Sequence, residues 1–225
     1  MVWLRVLGKL LISLGVGVLL FVAWILWGTG LYTSQQQDKL RDEFTELPRF
    51  PAEPEDTKGG KPSPYGGPGD GFEPAPGEPV FTLDIPKIDV RNVVVEGVGT
   101  EELKSGPGHF PDCRGDFRGE LCTEDEAVWP GERGRVIVSG HRTTYGQPFW
   151  SLDKLEPGDE ILIRTRGWGN YTYLVTGTEI VLPTDRDIAV PDPPGSRAEI
   201  VLTTCNPRFS AAERLVVFAE MDISV

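Results

Sequence analysis

Residues 10–27 read LLISLGVGVLLFVAWILW, eighteen positions without a charge. A run of that length crosses a bilayer as a helix, and no other segment restricts the placement of the chain so strongly. Arg5 and Lys9 precede it, whereas Lys39 and Arg41 follow only after a polar stretch. The positive-inside tendency then leaves the N-terminus in the cytoplasm and exports the rest. Trp24, Trp27 and Tyr32 fall where an interfacial aromatic belt belongs. A cleaved signal peptide is the rival, but its apolar core is shorter and a small-x-small cleavage site should follow; none stands after Trp27. The expectation is a cytoplasmic N-terminus over residues 1–9 and an uncleaved transmembrane anchor over residues 10–31, so that the lipid bilayer is one partner.

Residues 32–79 are expected to form an extracytoplasmic stalk and linker. The first part is polar and suits a short helix over residues 35–47. From residue 48 to residue 79 proline and glycine crowd the sequence (PRFPAEPEDTKGGKPSPYGGPGDGFEPAPGEP). Proline lacks an amide donor and glycine raises chain entropy, so this stretch reads as a solvated Pro/Gly-rich tether with no core of its own.

Residues 80–225 form the folded domain. Short Val- and Ile-rich runs at 81–85, 92–95, 135–139, 160–164, 171–181, 199–204 and 215–221 read as strands. Turn sequences such as PGD and RGWGN separate them, and only short helical turns fit, near 99–105, 149–155 and 185–188. So many short strands in one domain imply an all-β fold, a closed barrel or a sandwich. The net charge is −12, which argues against nucleic acid, since phosphate binding needs clustered Lys and Arg.

The chain has three cysteines, and an exported domain permits disulfides. Cys113 and Cys122 lie in one polar segment, CRGDFRGELC. A bridge between them closes a loop of about ten residues and stabilises by roughly 2–3 kcal/mol. A zinc site from His109, Cys113 and Cys122 lacks a nearby fourth ligand, so no metal and no cofactor are expected. Cys205 is left over at the end of the run EIVLTTC. By count alone it is a buried thiol or a reactive one.

Its surroundings favour reactivity. The run RVIVSGH ends a strand and presents His141; EIVLTTC ends another and presents Cys205; Arg214 opens the strand that follows. A thiolate is a nucleophile. An imidazole protonates a leaving amine and takes a proton from an incoming one. A guanidinium keeps its charge and holds donors in a fixed fork suited to an oxyanion. Taken singly, the histidine reads as a turn residue and the arginine as half of a surface ion pair with Glu213. Together the three suit acyl transfer through a thioester. Thr143, Tyr145 and Thr204, which flank His141 and Cys205, are the candidate substrate contacts.

The segments SGHRTTYGQPFWSLDKLEPGDEI and LTTCNPRFSAAERLVV resemble the two signature regions of sortases, and LDIPKIDV and LKSGPGHFP resemble that family's first barrel strand and the turn after it. The GHRTTYG and LTTCNP wording is similar to the class E sortases of high-GC Gram-positive bacteria. The resemblance spans the whole domain and implies an eight-stranded sortase-type β-barrel. It also implies a transpeptidase that cleaves a C-terminal sorting signal, LAxTG- or LPxTG-like, between Thr and Gly. Cys205 would carry the thioester, His141 would protonate the departing amine, and a cell-wall amine would be the acceptor. The acidic stretch CRGDFRGELCTEDEAVWPGER is longer than the family pattern suggests, and no DPW-like lid motif precedes the barrel, which favours a housekeeping role over pilus assembly. An exported cysteine peptidase with water as acceptor, or a catalytically silent peptide- or wall-binding barrel, are the alternatives.

Overall fold

The computed structural model describes residues 2–24, 28–50, 53–54, 65–69, 71–111, 127–184 and 197–224. Eight of its strands close into a barrel: β1 (Pro79–Ile85), β2 (Val90–Glu96), β3 (Gly108–His109), β4 (Gly134–Ser139), β5 (Glu160–Thr165), β6 (Asn170–Val181), β7 (Ala198–Asn206) and β8 (Glu213–Met221). The order around the barrel is β8-β6-β5-β1-β2-β3-β4-β7, with β7 returning to β8. β2 pairs β3 and β4 pairs β7 in parallel; the other pairs are antiparallel. Each of the seven expected runs forms a strand.

The eight strands agree with the barrel that the resemblance implied, but the place of the eighth, β3, was not read from the sequence. Two residues from the sequence GPGH carry no alternating pattern, yet they bridge β2 and β4. His109 anchors them from inside. Its Nδ1 lies 2.7 Å from Glu96 Oε2, its Nε2 lies 3.1 Å from Val128 O, and its ring lies 4.4 Å from that of Trp129. Both ring nitrogens are therefore engaged, which leaves neither for a metal. The expected helical turn at 99–105 is α3 (Thr100–Ser105), and the one at 149–155 shrinks to a 3₁₀ turn at Leu152–Lys154. The turn expected at 185–188 lies outside the described residues, as do Cys113 and Cys122.

The strands alternate as a barrel requires. On β7, Ile200 and Leu202 point into the main core; on β8, Leu215 and Val217 do so; on β4, Val136 and Val138. The intervening Val201, Val216 and Ile137 form a second apolar cluster on the outer face, flanked by Phe110, Val181 and Phe218. That outer patch is the floor on which the candidate site is built.

Among the described residues two helices precede the barrel, α1 (Val2–Ala23) and α2 (Thr29–Glu46). The segment Arg5–Ala23 is long and apolar enough to cross a membrane. α2 is polar overall but buries Thr33, Gln37 and Leu40, a one-sided stripe at helical spacing. Gln37 does the work of a missing strand. Because β3 is so short, Val93 on β2 has no strand partner on that side. The Gln37 side chain accepts from Val93 N–H at 2.8 Å and donates to Val93 O at 2.9 Å and to Ser105 O at 2.9 Å. Leu40 and Phe44 pack beside it on Val93 and Val95.

The expectation of a solvated tether over residues 48–79 does not hold for its described residues. Phe72 is buried, with its ring 4.8 Å from Phe50, 4.7 Å from Trp129 and 4.9 Å from Trp168. The buried Arg166 guanidinium lies 5.4 Å from each of the Phe50 and Phe72 rings, pairs with Glu78 at 2.6 Å and donates to Pro48 O at 3.3 Å. Proline and glycine content says how a backbone behaves when nothing touches it; a few aromatic side chains are enough to dock such a segment on an open barrel end.

Candidate active site

β4 and β7 run in parallel with Ser139 opposite Thr203, so the loops that follow them emerge side by side. Gly140 N–H donates to Thr203 O at 3.1 Å, and Thr204 Oγ1 donates to Gly140 O at 2.7 Å. β8 returns antiparallel and sets Arg214 directly opposite Cys205. Directly opposed residues of an antiparallel pair share a face, with Cβ atoms about 4.5–5.5 Å apart. The alternation that sends Leu202 and Leu215 inward sends Cys205 and Arg214 outward, next to the Ile137–Val201–Val216 floor. Cys205 is a half-buried free thiol.

His141 stands two residues past the end of β4. Its loop folds back on itself: Phe149 N–H donates to His141 O at 3.2 Å, and the fully buried Phe149 ring packs on Gly140. A Cβ on Gly140 would meet that ring at 2.7 Å, so only glycine fits there. The Tyr145 ring lies 5.1 Å from the His141 ring. The backbone of Tyr145 is left-handed at φ 49°.

The three residues expected to carry the chemistry thus sit on neighbouring strand ends at one end of the barrel. Of the expected substrate contacts, Thr143 and Tyr145 lie half-buried in the His141 loop. Thr204 does not fit that role. It faces inward, is buried, and spends its hydroxyl on Gly140 O; alternation along β7 puts it on the opposite face from Cys205.

Sequence reasoning missed Arg142. Its buried guanidinium donates from Nη1 to Cys205 O at 3.3 Å and to Asn206 Oδ1, and its Nη2 lies 3.2 Å from Asp153 Oδ1. Asn206 Nδ2 in turn donates to Glu213 Oε2 at 2.8 Å. A second guanidinium, Arg208, joins Asp153 at 2.8 Å and donates to Trp150 O at 2.9 Å. These links tie the His141 loop, the Cys205 loop and the start of β8 into one unit. Arg142 is a positioning residue: it holds the backbone of Cys205. The sequence signal was present in SGHR, an arginine next to a histidine at a strand end.

The ion pair offered as the alternative for Arg214 does not form. Glu213 is engaged by Asn206, and Arg214 Nη1 donates instead to Ala211 O at 3.1 Å and Glu213 O at 3.0 Å. No described residue accepts from its Nε or Nη2.

Burial lowers the pKa of His141 below its ordinary 6.5. A lowered pKa favours the neutral form of the ring at pH 7. The folded state binds fewer protons than the unfolded chain between that lowered value and 6.5, so stability falls as the pH drops through this window. An NMR titration of the His141 ring is expected to give a midpoint below 6.5. A midpoint above it would mean that a Cys205 thiolate holds the imidazolium more strongly than burial disfavours it.

A profile of the sortase domain matches residues 83–222. Sortase SrtE1 of Streptomyces coelicolor is 30% identical over 228 residues, covering 96% of this chain and 56% of its own length. The chain thus spans little more than half of that relative. Among solved structures, sortase E from Streptomyces avermitilis is 34% identical with a TM-score of 0.52, covering 66% of this chain and 90% of that one. Sortase E1 from Streptomyces coelicolor with a tripeptide in the active site is 29% identical with a TM-score of 0.55, covering 67% and 91%. The matched stretch is the barrel itself, from β1 to the end of β8, with the His141, Cys205 and Arg214 segments in order along it. By that match the chain belongs to the sortase family and, within it, is of the class E type.

Proposed function

We propose that the chain is a membrane-anchored cysteine transpeptidase that processes C-terminal sorting signals of exported proteins. The observation that carries this reading is the register of β7 and β8, with the free thiol of Cys205 directly opposite Arg214 on the outer face. The tripeptide in the active site of the Streptomyces coelicolor relative supports a peptide substrate.

The steps follow from the residues. The neutral His141 ring takes the Cys205 proton. The sulfur attacks the Thr carbonyl of the signal, forming a C–S bond, and the oxyanion accepts from the Nε and Nη2 donors of Arg214. The intermediate collapses with loss of the C–N bond, and the imidazolium returns its proton to the departing glycine amine. A cell-wall amine then attacks the thioester carbonyl and gives its proton to His141; the C–S bond breaks as the amide forms, and the imidazolium returns that proton to the departing Cys205 thiolate. α1 anchors the chain, with residues 1–9 inside and the barrel outside. A bridge between Cys113 and Cys122 would keep those thiols from competing with Cys205.

The test uses the full chain in detergent with LAxTG- and LPxTG-type peptides, with and without a glycine-based amine. An amide product that requires the amine is expected, and the LAxTG peptide should turn over faster. Hydrolysis alone in saturating amine would assign the chain as a cysteine peptidase. Absence of any thioester by mass spectrometry would remove the catalytic reading.

A further inference from the structure

The end of the barrel that carries Cys205 is also the end at which the chain arrives from its apolar helix. Thr29, the first residue of α2, accepts at Oγ1 from the Tyr145 N–H at 3.2 Å. Thr33 packs against Gly146, where an added Cβ would meet Thr33 Cγ2 at 3.2 Å, and its hydroxyl donates to Lys104 O at 2.8 Å. The His141 loop is therefore fastened to the first turn of α2. α1 ends at Ala23, and the uncharged sequence continues to Trp27. Even a fully extended chain reaches only about 20 Å from Ala23 to Thr29, and about 7 Å from Trp27. The polar layer between hydrocarbon and water is itself about 5–7 Å deep on each side.

The same end exposes large apolar side chains. Leu31 and Tyr32, on the first turn of α2, are 64% and 43% exposed, and Phe209, on the loop after Cys205, is 71% exposed. Phe209 is further unusual in its left-handed backbone, φ 65°. A bulky residue in that region carries a conformational cost, and here the ring gains little burial within the chain in return. Its ring lies 6.0 Å from Trp150, which extends the aromatic rim toward the His141 loop.

We propose that the Cys205 end of the barrel rests on the lipid surface, with Leu31, Tyr32 and Phe209 entering the bilayer interface. This rests on the reading of α1 as a membrane span. Lipid is favoured over a protein partner because the chain connection delivers this end to the bilayer without any further binding event. Aromatic rings suit that depth, with an apolar body and a wet edge. Cys205 then lies at headgroup level, and substrates reach it along the membrane plane.

The test places the photoreactive residue p-benzoylphenylalanine at position 209 of the full chain, and separately at position 223. Ile223 is 58% exposed just past the end of β8, at the opposite end of the barrel. Each protein is reconstituted into phosphatidylcholine–phosphatidylglycerol vesicles and irradiated, and its peptides are searched for lipid adducts. Thermal melting checks that each variant is folded. Lipid adducts at position 209 and none above background at position 223 are expected. Equal yields at the two positions, adducts of position 209 to a second copy of the chain, or no adduct there would each overturn the proposal. Turnover of a soluble sorting peptide is measured on the same vesicles. Turnover without lipid contact at position 209 refutes the docking alone, whereas lipid contact without turnover refutes the transpeptidase reading alone.

Discussion

Replacing Cys205 by alanine is expected to abolish both thioester formation and amide product, a loss of about 10³-fold or more in kcat/KM. No other described side chain at this end of the barrel is a thiol, and the carbonyl carbon then has no nucleophile to meet. The fold should survive. Cys205 is half-buried at a strand end and faces the outer patch, so the change removes one sulfur without opening a cavity in the main core. Its backbone carbonyl, which Arg142 grips, is retained. The melting temperature should therefore stay within a few degrees of the parent, consistent with a cost of about 1 kcal/mol or less. Mass spectrometry of the protein after incubation with peptide provides the readout. A mass increase from an acyl adduct on the alanine protein would end the assignment of Cys205. An unfolded alanine protein would instead identify the thiol as packing, and Cys205→Ser, which keeps the volume, would then separate stability from chemistry.

Arg214→Lys is expected to lower kcat/KM by about tenfold or more, with the loss falling mainly on kcat. The geometry excludes the bland explanation for this arginine. A surface ion pair would survive replacement by another cation and contributes only about 0–1 kcal/mol in any case. Glu213, the natural partner for such a pair, is instead engaged by Asn206. Arg214 Nη1 is held by the carbonyls of Ala211 and Glu213, which fixes the plane of the guanidinium and aims its remaining donors. A lysine ammonium has no second nitrogen to be held while the first one works. Steady-state kinetics with a sorting peptide, together with a thermal melt, checks the prediction. Full activity in Arg214→Lys would reduce the arginine to a loop staple and leave His141 and Cys205 to act without it.

The legible part of this protein was the part that obeys a local rule. Strands of six to twelve residues with Val and Ile at alternate positions declare themselves, and His141, Cys205 and Arg214 stand at the boundaries of three of them. β3 stayed hidden because two residues have no period. Thr204 was read as a substrate contact because it flanks Cys205 in sequence, yet neighbours along a strand point to opposite faces. The roles of Arg142 and Gln37 depend on partners 63 and 56 positions away, and no pattern in a single sequence reports such a pairing. Phe72 was lost inside a composition argument: its proline and glycine neighbours describe the backbone, while its ring follows the barrel end that it covers.

The Gln37 contact changes where this protein can be cut. The sortase-domain profile begins at residue 83, and a chain trimmed near that boundary would keep the residues that the profile recognises. It would lack α2, and the Val93 N–H and C=O now satisfied by one glutamine side chain would face water beside the bare apolar surface of Val93 and Val95. An open, apolar strand edge invites pairing with another chain. The smallest piece that folds with all its edges closed therefore starts some fifty residues before the domain profile does, and that profile alone is the wrong guide to its boundary.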